Sequence, residues 1–402
     1  MIDKPVVESI TSWYSERMSY DAITIDTQVI YANGLELDTG IVGQLDQYKD
    51  GLVKFILSEI NLREIHKALT EKAKSAQDSL AKAIKSGSAN RQFEMDQLAA
   101  LKAVRDAMLQ PGDHATKQMT EFLAKTGAEI VAADRAEIKP ILDKYFKNEP
   151  PFASKGKKNE IPDAIALLSL ESWAQDNKKR ILAVSDDEDW KTFANHCQHI
   201  DVVDDLAKAM ALLNELAEET IPKAKAVLDA IKAEGNATVA MLQARLESAV
   251  ESEFPYLEFD GPLPGEDEGA SLSLVSYEIE GLDDGSTEID VIRVGNGTFA
   301  FRVPAFITAN VYADISFSIR DSIDKDYVPM GSTSIEQETD FHAYLLIECS
   351  HFLDDPDDEN STTYEIEDVE LLGAPASIDI GYVEYSLAED DYDFDVESLQ
   401  EM

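Results

Sequence analysis

Four acidic residues, far apart in the chain, stand at positions where a carboxylate can do chemistry. Asp26 ends the run Ala22-Ile-Thr-Ile25, an apolar, β-branched stretch that reads as a buried strand. Glu64 lies a helical turn or two beyond a second strand-like run, Gly51–Leu57. Asp163 opens a helix in Ile-Pro-Asp-Ala, and Asp187 follows a third strand, Ile181–Ser185. Carboxyl ends of parallel strands face one crevice, so four separate elements can deliver these groups to one place. Crowded carboxylates raise one another's pKa unless a divalent cation neutralises them. Hard oxygen donors suit Mg²⁺ or Mn²⁺, and such sites activate water for attack on phosphorus. Phosphodiester hydrolysis is the reaction this donor set fits.

The elements between these residues must hold them in place. Ser58 is a suitable N-cap for the helix carrying Glu64. From about 60 to 145, Ala, Lys, Glu, Gln and Leu dominate, with breaks at Ser86–Ala89 and Pro111–Asp113, so three or four helices are expected. A lysine-rich loop, Asn148–Asn159, precedes the helix Pro162–Gln175, with Pro162 in its first turn. Strand Ile181–Ser185, strand Ile200–Val203 and helix Asp204–Glu218 then alternate at the spacing of a parallel α/β sheet. Residues 220–250 are again helical. Beyond Pro255 and Gly261–Gly265 the pattern changes to short alternating runs, among them Leu272–Ile279, Thr298–Val303, Phe306–Ile319 and Ala343–Cys349. These predict antiparallel strands.

The motifs ITIDTQVI, LSEINLREI, NEIPDAIALLSLESWA and ILAVSDDEDW, in that order, resemble those of the PIN-domain nucleases. The resemblance covers roughly residues 20–210. It implies a strand-end Asp26, a helical Glu64, an Asp163 at a later helix start, and a Ser185-x-Asp187 segment. It further implies cleavage of single-stranded or structured RNA with Mg²⁺ or Mn²⁺, DNA being the second choice of substrate. The long helical stretch resembles a larger bacterial PIN subgroup with an internal helical insertion. Two assignments stay open: Asp187 against Asp189 as fourth ligand, and Glu64 against Glu59. Glu160 is a further metal candidate. Thr27, Ser185, Arg63, Lys155, Lys157 and Lys158 are candidates for holding substrate, the lysines through the phosphate backbone.

Composition separates the chain into unlike parts. The net charge is −44. Residues 251–402 hold 39 acidic residues against Arg293, Arg302, Arg320 and Lys325, a net of −35, whereas residues 1–250 carry only −9. An acidic region of that density repels nucleic acid. It suits restraint of a nuclease site, or docking of a basic protein partner. The expected organisation is an α/β PIN-like domain over 1–212 with a helical insertion at about 66–145, and a helical connector over 213–252. A β-rich, sandwich-like acidic domain over 255–387 and an acidic tail over 388–402 follow. Asp354–Glu359 and Glu389–Asp393 lack the spacing of a helix–loop–helix calcium site. Two widely separated cysteines, six histidines without ligand spacing, and no phosphate-cradling glycine loop argue against zinc and nucleotide chemistry. No run of apolar residues is long enough for a membrane span and no secretory signal is apparent, so a cytoplasmic enzyme is expected. A homodimer, and a role as toxin or defence effector, are compatible with this reading.

Overall fold

The computed structural model describes residues 20–49, 51–89, 91, 93–152, 161–214, 217–233, 237–295, 297–320, 327–353 and 362–384. Lys155, Lys157, Lys158, Glu160 and the tail 388–402 lie outside them. The chain divides into two compact units. The first comprises residues 1–222 with 290–301, the second residues 223–289 with 302–402.

The first unit is built on a five-stranded parallel sheet in the order β3-β2-β1-β4-β5. These strands are β1 (Ala22–Ile25), β2 (Lys54–Ser58), β3 (Glu129–Val131), β4 (Ile181–Val184) and β5 (Ile200–Val203). All four residues of β1 and of β4 are buried, as a strand covered on both faces requires. Between the strands run α1 (Thr27–Ala32), α2 (Glu59–Ala89), α3 (Met95–Ala107), α4 (Pro111–Thr126), α5 (Ile138–Lys147), α6 (Ile161–Asn177), α7 (Glu188–Ala194) and α8 (Leu206–Leu213). Helix α6 buries Leu167, Leu170, Trp173 and Ala174 in a core shared with Ala22, Ile56, Ile181 and Ala183. The order reverses between β1 and β4: the chain leaves β1 toward β2 and β3 on one side, and later fills β4 and β5 on the other. That is a topological switch point, where a crevice opens at the strands' carboxyl ends.

The stretch expected to be wholly helical contains a strand. β3 is only three residues long and pairs in parallel with β2, Ser58 opposite Val131. Its brevity and the charged Glu129 hide it in a helix-rich sequence. Trp173 donates from its indole nitrogen to Glu129 at 2.7 Å, fastening β3 to α6. The hairpin 290–301, formed by β8 (Asp290–Val294) and the first residues of β9, also belongs to this unit. Its Arg293 pairs with Asp46 at 3.2 Å.

The second unit is mostly antiparallel. Strands β7 (Gly265–Ile279), β9 (Thr298–Arg320), β10 (Tyr327–Leu353) and β11 (Thr362–Leu372) form one sheet in the order β11-β10-β9-β7. β9 is a single strand where two shorter ones are expected from sequence, because Pro304 interrupts the alternation without ending the strand. Ala305, Ile307, Ala309, Val311, Ala313, Ile315 and Phe317 all point to its buried face. Helix α10 (Ala237–Glu251), after α9 (Ala217–Lys232), packs on this sheet through contacts with β7 and β11. A second, two-stranded sheet pairs β6 (Tyr256–Asp260) in parallel with β12 (Ser377–Tyr382). Among the described residues no helix is long and apolar enough to cross a membrane.

The helical insertion is anchored to the sheet by aromatic packing. Phe55 on β2 meets Phe122 on α4 edge to face, with ring centroids 5.9 Å apart, and both rings are buried. Phe122→Ala is expected to destabilise the first unit by about 3–5 kcal/mol, read as an earlier urea transition by far-ultraviolet circular dichroism.

Candidate active site

Asp26 stands where β1 stops. Its backbone N–H donates to Val184 O at 2.9 Å, prolonging the β1–β4 ladder by one step, while Ser185 N–H does the same toward Val203 O. Those two bonds set Asp26 and Ser185 side by side at the strand ends. The Asp26 carboxylate is 5% exposed and three donors hold it. Ser185 Oγ–H donates to Oδ2 at 2.8 Å and Thr27 N–H to Oδ1 at 2.6 Å, while Asn61 Nδ2 reaches Oδ1 at 3.4 Å.

Hydroxyl groups link this carboxylate to two others. Thr27, next in the chain, donates its Oγ–H to Glu64 Oε2 at 2.8 Å. One residue thus ties Asp26 through its backbone and Glu64 through its side chain. Ser185 Oγ accepts the N–H of Asp187 at 3.1 Å while donating to Asp26. Asp187 caps α7, its Oδ1 accepting Asp189 N–H at 2.6 Å, and Gln28 Nε2 approaches its Oδ2 at 3.4 Å. Asp163, in the first turn of α6, completes the group through charge. Burial pushes its pKa up to about 7, and the negative charges of Asp26, Glu64 and Asp187 add to the rise. Asp26 rises to about 6, first by burial; Asp187 and Glu64 raise it further, while the bonds from Ser185 and Thr27 pull the other way.

The two open assignments separate here. Glu59 is occupied elsewhere, accepting Ala133 N–H at 2.9 Å and pairing with Arg63, and these bonds hold its carboxyl below the usual range. Glu64, not Glu59, faces Asp26. Within the acidic run 186–189, Asp186 and Glu188 both pair with Lys191. Asp187 is the carboxylate whose charge acts on both Asp26 and Asp163, whereas Asp189 offers Asp187 its backbone amide.

Thr27 and Ser185, candidates for holding substrate, are both buried, and their hydroxyls bond carboxylates. Arg63 is exposed and paired with Glu59. Two residues escape a reading by motif. Asn61 is 2% exposed and also donates to Ile25 O at 3.3 Å, tying α2 to the end of β1. Its signal is a polar residue in register with Ile65 and Ala68 on the buried side of α2. Trp190 is 1% exposed; its indole N–H lies beside Asp163 and slightly lowers that carboxyl, without a partner at normal hydrogen-bond distance among the described residues. Only the fold shows that this core tryptophan borders the site.

Four mutually repelling carboxylates, two of them held up near neutrality, form a donor set suited to a hard divalent cation. Among the described residues no three such side chains already close into a cage for an ion. Mg²⁺ keeps several waters and commonly takes only one or two carboxylates from the protein. All four carboxylates fall within residues 23–190, the segment that matches the family model of the PIN domain. No curated protein and no solved structure matches the chain.

The raised pKa of Asp163 has a sign that stability measurements can read. An acid whose pKa rises on folding, here from 3.8 to about 7, favours the folded state below the lower value. That advantage is lost as pH climbs through the higher one. In metal-free protein, Asp163→Asn should therefore raise Tm by about 2–4 °C at pH 8, with the gain vanishing by pH 4. Thermal scans with a chelator at both pH values check this; a gain equal at both would show that charge is not its source.

Proposed function

We propose that the PIN domain spanning residues 23–190 is a divalent-metal-dependent endonuclease acting on RNA. A PIN domain is a nuclease fold, and its substrate is nucleic acid. The observation that carries this reading is the convergence of Asp26, Glu64, Asp163 and Asp187 from four separate elements, close enough to raise Asp26 and Asp163 together. A structural ion-pair network would place cations among them. Among the described residues, the side chains that hydrogen-bond the cluster are those of Thr27, Ser185, Asn61 and Gln28, all neutral, and the backbone N–H groups of Thr27 and Asp189 add to them.

Asp26, Glu64, Asp163 and Asp187 would hold Mg²⁺ or Mn²⁺. Bound there, such an ion supplies charge neutralisation at the phosphate and a water of lowered pKa. The chain's own contribution is placement. Ser185 and Thr27 fix both oxygens of Asp26, so its carboxylate cannot rotate away from the crevice. Thr27 fixes Glu64 in the same frame, and Gln28 steadies Asp187 at the exposed rim. Partners that orient ligating groups in this way are commonly worth 10–100-fold in metal affinity or activity. The choice of RNA over DNA follows the PIN-family resemblance of the four motifs.

The test is cleavage of labelled single-stranded RNA, and of DNA of the same sequence, with Mn²⁺ or Mg²⁺. Asp26→Asn and Asp163→Asn should each abolish cleavage. Thr27→Val, which keeps the shape and removes the hydroxyl, should lower it about 10–100-fold. Asparagine variants that cut as well as the parent would dismiss the site, and faster cleavage of DNA would reverse the substrate assignment.

A further inference from the structure

Helix α2 does more than deliver Glu64. It continues to Ala89, so that Lys85 lies about 31 Å along the axis from Glu64 at 1.5 Å per residue. Its inner side buries Ile65, Ala68, Leu69 and Ile84. At roughly 100° per residue, Arg63, Lys67, Lys74 and Lys85 fall within about 40° of one line on the opposite side, with Lys82 some 60° away, in line with Glu64. All five cations are exposed. Lys74, Lys82 and Lys85 make no ion pair among the described residues. Lys67 only grazes Glu71, at 4.0 Å, and both groups are well exposed. The helix as a whole holds six Lys and Arg against four acids, in a chain of net charge −44. Of those acids, Glu59 is held by Ala133 and Arg63 and Glu64 by Thr27, while the exposed Glu71 and Asp78 lie among the cations, about 60–80° from Arg63.

We propose that the exposed face of α2 is a track for the phosphodiester backbone of a single nucleic-acid strand entering or leaving the site at Glu64. This rests on the nuclease reading above and deepens it. The occupant is set by charge complementarity and by continuity: the row of ammonium groups starts one turn beyond a site carboxylate and leads away from it. α2 has no Phe, Tyr or Trp, and its one imidazole, His66, lies off this row and bonds Thr116 at 3.0 Å. Bases therefore find no stacking platform, and the track reads phosphates without regard to sequence. A carboxylate cluster repels its own polyanionic substrate, so a row of cations outside it supplies the affinity that the cluster cannot.

The experiment uses the full chain. Binding of labelled single strands of about 4 and about 16 nucleotides, the limits of ordinary single-strand sites, is followed by fluorescence anisotropy over a salt series in an Asp26→Asn background. Cleavage of both is followed with Asp26 intact. Lys74→Glu/Lys82→Glu/Lys85→Glu should weaken binding of the longer strand at least tenfold. It should also flatten the slope of log K against log salt by about 2, at about 0.7 per lost phosphate contact. Cleavage of the shorter strand should not change. Lys139→Glu/Lys178→Glu/Lys208→Glu, an equal charge change on other exposed lysines of the first unit, should leave the long strand bound. Lys74→Gln/Lys82→Gln/Lys85→Gln, with no added negative charge, should give the same length-selective loss in smaller measure. If the α2 variants bind the long strand like the parent, or the control triple weakens it equally, the track is overturned while cleavage of the short strand still upholds the nuclease. If the parent neither binds nor cleaves either length, both readings fall.

Discussion

The first unit is organised around a buried carboxylate that must be kept near three others. Holding Asp26 ionised at pH 8, against a pKa raised to about 6, costs about 3 kcal/mol relative to water. Full burial of one Ile or Leu contributes about 1.5–3 kcal/mol. The wholly buried residues of β1 and β4, which end beside Asp26, therefore offset that cost within a few side chains. The Ser185 hydroxyl and the Thr27 backbone N–H do the rest, since a buried carboxylate without donors would be far more expensive. The site is placed where the apolar ladder is strongest.

This arrangement also explains why the polar neighbours are neutral. A lysine or arginine beside Asp26 would lower its pKa, but would weaken the negative field available to a cation. Thr27, Ser185 and Asn61 orient the oxygens without cancelling their charge. Among the described residues, cations of the first unit stand in pairs such as Arg135 with Asp176 and Arg180 with Asp201, or along α2.

The second unit handles acidity by the opposite means. Its long strands put apolar residues on one face and leave the carboxylates on the solvated one. There acids sit across from hydroxyls: Asp340 accepts from Thr308 at 2.8 Å, Asp314 from Ser334 at 2.5 Å and Glu336 from Tyr312 at 3.3 Å. Like charges directly opposite destabilise a sheet; these three acids face hydroxyls instead, whereas Glu348 opposite Asp368 and Glu258 opposite Asp379 bring carboxylates together. A strongly negative surface thus coexists with an ordered antiparallel sheet, while its charge disfavours nucleic acid there.

The sequence alone determined the strands β1, β4 and β5 and the change from α/β to antiparallel pattern beyond Pro255, and it singled out four carboxylates as candidates. Apolar periodicity and strand-end position are local properties, written in neighbouring residues. Tertiary structure decided what local pattern leaves open. It separated Glu64 from Glu59, identical in charge and on the same helix, because Ala133 and Arg63 claim one and Thr27 the other. It singled out Asp187 within a run of four acids, since its charge acts on both Asp26 and Asp163. It buried Thr27 and Ser185 against the carboxylates, and it brought in Asn61 and Trp190. β3 had too few residues to show a period, and it exists as a strand through its pairing with β2. Apart from Arg63, one turn from Glu59, the deciding partners lie far away in the chain, and a hydrogen bond or a charge acts across space rather than along the sequence.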